Sequence, residues 1–373
     1  MINVDKLLTQ LYCSNIEFKR LEEYIDYEQP SKYIVKSTQY NDEYDIPVLT
    51  AGQTFVLGYT NEKEGIFKAT KENPVIIFDD FTTSFHWVDF DFKVKSSALK
   101  ILKPKNSDIN FRYIYYAMSF IKYTPKNHSR HWISVYSKFC IPMPTSEAQE
   151  IIVDILDKFE KQIELTEKKL KIRRQQIEWL KFNYFNNKNN TIKTNLYECC
   201  ELKKGKTPIQ KATPGEYPLV VTTKERKSCN SFDFEGPAVC VPLVSSRGHG
   251  IASLNQVFYQ DGKYAVGNIL CVVKPKNYDI LDARYLYYYL NFFKDTKIVS
   301  LMKGGANVSL TVDALKNVSI EIPSIDSQIK IIEKFRICDI VIEQLSSKID
   351  LLKKQYEYYR DKLLSFKGAE ENV

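Results

Sequence analysis

CIPMPTSEAQEIIVDILDKF at residues 140–159 is answered by SIEIPSIDSQIKIIEKFRIC at 319–338, with Pro144 matched by Pro323 and Gln149 by Gln328. Each stretch reads as a strand running into a helix, and the offset is 179 residues. Aligning 139–185 on 318–364 without gaps gives nine identities in 47 positions, which is weak alone. The hydrophobic period is stronger. Ile152, Leu156, Phe159, Ile163, Thr166, Leu170, Arg173, Ile177, Leu180 and Tyr184 keep a 4-3 spacing. The same offset yields Ile331, Phe335, Cys338, Ile342, Leu345, Ile349, Leu352, Tyr356, Tyr359 and Leu363. All but Thr166 and Arg173 are apolar or aromatic, and the other positions are rich in Glu, Lys, Gln and Asp. A sustained a/d seam of this kind predicts a coiled coil. The alternative is that each stripe packs on its own globular part.

Working outward, the globular parts echo each other more faintly. LKPKNSDINFRYIYYAM (102–118) matches VKPKNYDILDARYLYYYL (273–290), and DIPVLT (45–50) matches EYPLVV (216–221). Each of the longer pair reads as a strand, a Pro-Lys-Asn turn and a short amphipathic helix. PVIIFDDFTTS (74–84), PAVCVPLVSS (237–246) and AVGNILCVVKP (265–275) add β-rich runs between turn residues. NNKNNT (186–191) is a polar linker without an apolar anchor. The expected fold class is α+β, with a first globular domain over 1–145, a first long helix over 146–185 and a linker over 186–192. A second domain over 193–323, a second long helix over 324–366 and a disordered tail over 367–373 complete the layout. One helix over 147–185 would be ~58 Å long. A second domain with a radius of gyration near ~14 Å is too small to carry the chain back along that length. The helices are therefore expected to pair antiparallel, as a rod with pseudo-two-fold symmetry and one globular domain at each end.

Bulk properties agree with a folded, multidomain chain. Its 373 residues exceed one ordinary core, and 44% hydrophobic with 27% charged residues excludes a disordered class. No basic start with an apolar h-region opens the chain, and no apolar run approaches a membrane span, so a cytoplasmic location without membrane attachment is expected. Cysteines 13, 140, 199, 200, 229, 240, 271 and 338 show no CxxC spacing, and the four histidines are not set with them, so reduced thiols and no metal are expected. Residues 193–323 hold 17 basic against 12 acidic side chains, which places +5 of the +7 net charge in one segment and points to a local anionic partner.

Two similar, non-identical domains held at a fixed separation suit a long, roughly two-fold ligand, and duplex DNA is one. The seam from 152 to 184 spans ~48 Å, or about 14 base pairs at 3.4 Å per step. The order of variable domain, Ile141-Pro142-Met143-Pro144 with Gln149, long helix, second domain, Ile320-Glu321-Ile322-Pro323 with Gln328, and second helix resembles the specificity (S) subunit of Type I restriction-modification enzymes. PVIIFDDFTTS, GGANVSLTVDALKNVSIEIP (304–323) and QYEYYRDKLLSF (355–366) carry the same resemblance, which covers about residues 16–366. The first copy departs from the pattern where HSRHWISVYSKF (128–139) stands in place of a glycine-containing loop. The resemblance implies a non-catalytic DNA-recognition subunit. Its two domains would read two unlike halves of a split duplex site, and its helices would bind two methyltransferase (M) subunits, with motor-nuclease (R) subunits joining for restriction. S-adenosylmethionine, ATP and Mg would then belong to those partners and none to this chain.

Independent of the resemblance, no glycine-rich cofactor loop with an Asn-Pro-Pro-aromatic motif and no P-loop occurs. Glu167-Lys168-Lys169 lies on the coil without a carboxylate strand, and Asp79-Asp80 reads as a solvated turn before it reads as a metal site. Base readout favours Arg, Lys, Asn, Gln, Ser and Thr on loops. In the second domain the candidates are Lys203, Lys204 and Lys206; Lys224, Arg226 and Lys227; and Ser246, Arg247 and His249. In the first they are Thr82, Thr83, Ser84 and His86, then Lys126, Asn127, His128 and Arg130, with His86 equally readable as a core histidine. Arg173 is expected at the seam margin near a carboxylate or partner, and Thr166 is expected to fix register. A coiled-coil scaffold with two protein-binding domains remains the alternative.

Overall fold

A computed structural model describes residues 16–50, 54–186 and 190–366. The expected disordered tail, Cys13 and residues 187–189 of the expected linker lie outside the described residues. The chain divides into two compact units, Met1–Thr166 with Lys348–Val373, and Glu167–Ser347. Each long helix therefore contributes to both units.

The first unit begins with β1 (Glu17–Arg20), α1 (Leu21–Tyr24) and β2 (Ile25–Glu28), followed by β3 (Ile46–Leu49), β4 (Val56–Thr60), β5 (Val75–Asp79) and β6 (Phe85–Val88). It continues with β7 (Lys93–Val94), β8 (Leu99–Pro104), α2 (Phe111–Phe120), β9 (Cys140–Met143) and the first long helix, α3 (Ser146–Asn186). Its main sheet has the order β2-β8-β5-β6, and a second sheet has the order β4-β3-β7. VIIFD forms β5 because a strand covered on both faces reads as a continuous apolar run, and all five of its residues are buried. Ile76, Phe78 and Leu102 face a core built with α2 and Trp132, while Ile77, Val88 and Ile101 face the core shared with the second sheet.

The second unit repeats this plan with one short strand added at the edge of its second sheet. After β10 (Ile192–Asn195), α4 (Leu196–Cys199) and β11 (Cys200–Lys204) come β12 (Tyr217–Val220), β13 (Lys227–Cys229), β14 (Phe234–Glu235), β15 (Ala238–Pro242) and β16 (Phe258–Gln260). Then follow β17 (Lys263–Val266), β18 (Leu270–Pro275), α5 (Ala283–Phe292), α6 (Val312–Lys316), β19 (Ser319–Ile322) and the second long helix, α7 (Ile325–Leu364). The sheets run β11-β18-β15-β16 and β13-β12-β17-β14, and β10 pairs β19 as β1 pairs β9. The faint sequence echo is thus a duplication of the main sheet and of the β1-β9 pairing, with β14 added to the second sheet.

Tyrosines and glutamines explain why the duplicated motif persists. Tyr113 on α2 donates its hydroxyl to the Pro142 carbonyl at 2.7 Å, and Tyr285 on α5 donates to the Glu321 carbonyl at 2.8 Å. Burial pushes both phenols far above the ordinary tyrosine range, so they remain donors. One turn later Tyr116 donates to Asp157 at 2.6 Å and Tyr288 to Asp339 at 2.7 Å, tying each short helix to a long one. At the strand-to-helix junction, Gln149 Nε2 donates to the Pro144 carbonyl and Gln328 Nε2 to the Pro323 carbonyl, each at 2.9 Å. The side-chain amide clamps the bend that proline begins.

Within the first unit, Phe159 of α3 stacks on Tyr359 of α7 at 5.3 Å, and Tyr356 donates to Glu160 at 3.2 Å. Within the second, Tyr184 and Phe185 of α3 pack on Phe335 of α7. The first set brings rising residue numbers on α3 against falling numbers on α7. Ile152, Leu156, Ile177, Ile331, Phe335, Ile349 and Leu352 are buried, and Phe159, Ile163, Leu170, Ile342, Leu345 and Tyr356 are half-buried. Leu180 departs from the expected seam and is 45% exposed. Thr166 is buried, but its hydroxyl bonds back to the Gln162 carbonyl at 2.7 Å on its own helix, so it fixes no register through a bond across the seam. Arg173 is exposed at the margin, as its charge requires, and its described partner is the Gln176 amide oxygen at 2.8 Å and no carboxylate.

Candidate nucleic-acid interface

In both units two loops meet at one end of the main sheet. In the first, the hairpin after β5 meets the segment ending at His131. Asp80 carries the junction: its amide donates to the Ala98 carbonyl at 3.0 Å, and its carbonyl accepts the His131 amide at 2.8 Å. In the second unit Leu243 does the same, donating to Ile269 and accepting from Leu310, both at 2.8 Å. The strand registers place Asp80 and Leu243 at matching positions, one past β5 and one past β15. The loop HSRHWISVYSKF, which looked unlike its counterpart GGANVSL in sequence, is therefore anchored by the same backbone bond.

The first loop pair is built by local capping. Asp79 Oδ1 accepts the Phe81 amide at 2.8 Å, and its Oδ2 accepts the Thr82 hydroxyl at 2.7 Å. Thr82 Oγ1 in turn lies 2.8 Å from Ser84 Oγ. Phe81 stacks on the His128 ring at 4.5 Å, joining the two loops at their tips. His131 is buried and holds its own loop from beneath, with Nδ1 3.0 Å from the Tyr123 hydroxyl and Nε2 3.3 Å from the Asn127 carbonyl. Lys126, Asn127, His128 and Arg130 are all exposed above it, as are Thr82 and Ser84. Thr83 is not an available reader: it is buried at φ 60° and its hydroxyl is spent on the Thr82 carbonyl.

Asp79 and Asp80 are a correction to the solvated-turn expectation. Both are buried; Asp79 caps the turn, and Asp80 pairs with Lys100 at 3.3 Å, each side chain 1% exposed. Among the described residues no cluster of His, Cys, Asp and Glu could hold a metal ion. His86 lies apart from the loops, on β6 opposite Ile77, with its ring stacked on Phe55 at 4.1 Å. It is half-buried, and burial lowers its basicity.

The second loop pair uses backbone bonds and glycine. Ser245 donates its amide to the Val308 carbonyl at 3.0 Å, Gly250 to Ala306 at 3.3 Å, and Lys303 and Ser309 exchange two bonds of 2.9 Å. A Cβ on Gly304, which sits at φ 141°, would lie 2.2 Å from the Asn307 carbonyl oxygen, so the loop closes only around glycine. Ser246, Arg247 and His249 are exposed beside exposed Lys303 and Asn307. The last two escaped the sequence reading, although the glycine pair at 304–305 marks their loop. Among the described ion pairs Arg247 has no carboxylate partner, so its charge faces solvent.

The remaining cations divide. Lys204 ends β11 opposite Cys271, and Gly205 donates to Leu270 at 2.8 Å, so Lys204 and Lys206 share the sheet end from which the Leu243 loop departs. Lys203 pairs with Glu201 at 2.9 Å on the edge strand. Arg226 is committed to its own domain: Nε donates to Gln260 at 2.9 Å, Nη2 to the Tyr259 carbonyl at 3.2 Å, and the guanidinium lies over Phe258. Its neighbours Lys224 and Lys227 are exposed.

The sequence profile of the Type I restriction modification DNA specificity domain matches the chain twice, over residues 14–174 and 187–354. The Type I restriction enzyme EcoR124I/EcoR124II specificity subunit of Escherichia coli is 32% identical, over 99% of this chain and 98% of its own length. A putative Type I restriction enzyme specificity subunit of Haemophilus influenzae is 26% identical, over 95% of this chain and 96% of its own. The crystal structure of a Type I restriction-modification S subunit from M. genitalium shares the fold with a TM-score of 0.67 at 14% identity, covering 94% of this chain and 96% of that one.

Proposed function

On these matches the chain belongs to the Type I restriction-modification DNA specificity family, and we propose that each unit reads one half of a split, asymmetric duplex site through its paired loops. Family membership makes it a non-catalytic subunit that recognises DNA sequence. The observation that carries the finer reading is the repeated anchor at Asp80 and Leu243, which brings two exposed polar loops together at the same sheet end in each unit. The scaffold is shared, and the side chains on it differ. Lys126, Asn127, His128 and Arg130 stand on one, Ser246, Arg247 and His249 on the other, so two unlike half-sequences follow.

The chain acts through two methyltransferase subunits, joined by motor-nuclease subunits for restriction, and S-adenosylmethionine, ATP and Mg belong to those partners. Ile172, Trp179 and Phe182 support recruitment along the helices: they are 44%, 64% and 58% exposed on a helix whose other face is already buried. Among the described residues no helix is long and apolar enough to cross a membrane.

The test is Arg247→Ala in the chain expressed with its methyltransferase subunits, with methylated sites mapped by sequencing. Loss of one guanidinium contact to a base edge costs about 1–3 kcal/mol of discrimination, so one half-site degenerates at about one position while the other keeps its sequence. Equal weakening on all sequences would demote Arg247 to a phosphate contact. Retention of the chain on DNA should fall steeply with salt, and no retention at all would favour the coiled-coil scaffold and remove the nucleic-acid reading.

A further inference from the structure

Asp80 and Lys100 form an ion pair 3.3 Å apart beneath the first loop pair, and each side chain is 1% exposed. Buried pairs of this kind are commonly no more stable than apolar side chains of similar volume, because both charges lose their hydration. The second unit makes that comparison within one chain. Phe78 pairs with Lys100 between β5 and β8, and Val241 pairs with Cys271 between β15 and β18, so Cys271 stands where Lys100 does. Leu243 stands where Asp80 does, and the strand order and both backbone bonds at that position are the same. The fold therefore does not require the charges.

The carboxylate does what a leucine cannot. Asp80 Oδ2 faces Lys100, on the sheet, and Oδ1 accepts the Trp132 amide at 2.8 Å, at the end of the other loop. The residue after Asp80 is Phe81, which stacks on His128. One side chain thus ties the start of the hairpin carrying Thr82 and Ser84 to the end of the segment carrying Lys126, Asn127, His128 and Arg130, and fixes both to β8. In the second unit the residue matching Trp132 is Thr311, whose side chain instead caps α6 by accepting the Ala314 amide at 3.1 Å.

We infer that Asp80, held by Lys100, is a positioning residue for sequence reading by the first unit: it sets the relative placement of the two loops and touches no base itself. The inference rests on the proposed reading of DNA by those loops. The experiment is the double variant Asp80→Leu/Lys100→Cys, which transplants the second unit's residues, in the full-length chain expressed with its methyltransferase subunits. Methylated sites are mapped by sequencing, and folding is followed by circular dichroism and thermal melting.

The expected result is a folded chain whose discrimination in the half-site read by the first unit falls about tenfold or more, with the other half-site unchanged. A folded variant with both half-sites intact overturns the inference, and so does equal weakening of both, which marks a general loss of stability. If the double variant does not fold, Asp80→Asn/Lys100→Gln is read by the same two criteria. Absence of sequence-specific methylation when the unsubstituted chain is expressed with its methyltransferase subunits sinks the DNA reading itself, and so separates that failure from this one.

Discussion

Gln328→Ala provides the sharpest energetic test of the duplicated junction. Gln328 is 0% exposed and makes three hydrogen bonds: Nε2 donates to the Pro323 carbonyl at 2.9 Å and to the Ile280 carbonyl at 2.8 Å, and Oε1 accepts the Asp282 amide at 2.9 Å. Asp282 is itself the N-cap of α5, its carboxylate accepting the Arg284 and Tyr285 amides. Truncation strands one donor and two acceptors and loosens the start of α5. At about 1 kcal/mol for each bond, the loss is about 3 kcal/mol. Gln149, 8% exposed, makes one such described bond, to Pro144, so Gln149→Ala costs about 1 kcal/mol. For a unit of this size each kcal/mol moves the midpoint by about 2–4 °C, which separates the variants by about 4–8 °C. Urea titration and thermal melting of the whole chain, followed by circular dichroism, read the difference. Equal destabilisation by the two variants would refute the account, because it would make the repeated glutamine a general helix-start preference and not a clamp whose strength follows its bonds.

Further outcomes follow from the loops and the core. Burial depresses the basicity of His86, so the unfolded chain binds a proton more readily there than the folded one. Its contribution is fully present above the ordinary histidine pKa of about 6.5 and is lost as pH falls below it; His86→Phe, which keeps the stack on Phe55, flattens melting temperature against pH between about 5 and 7, and an unchanged slope rejects the assignment. Gly304→Ala forces a Cβ to within 2.2 Å of the Asn307 carbonyl at φ 141°, a conformation costing of order 1–3 kcal/mol. The 303–309 loop rearranges, and methylation mapping shows the second half-site relaxed while the first is kept; intact reading of both would show that this loop takes no part.

Much of the molecule is local chemistry and was legible in the sequence. The 4-3 period is a property of neighbouring turns, so it defined the long helices and all but Leu180 of their apolar seam. The Pro-to-Gln interval, five residues in each copy, is short enough that one side chain can reach back to its own bend. Apolar runs such as VIIFD mark strands covered on both faces whatever else surrounds them. The loops rich in exposed polar residues were equally visible, since nothing apolar in them demands burial.

What only the tertiary structure decided is which loops meet and which charges are spent inside. Asp80 and Trp132 are 52 residues apart and are joined because β5 and the segment beyond α2 meet at the same end of the sheet, a consequence of long-range packing that no local pattern encodes. Such packing turned Asp80 from a solvated turn residue into half of a buried ion pair, and assigned Arg226 to Gln260 and Tyr259 instead of to solvent. Thr83 is buried within its own turn, and half-buried His86 stacks on Phe55, 31 residues away in sequence, a contact that no local pattern encodes. Periodicity thus established the helices and the repeat, and long-range packing decided which polar loops lie side by side.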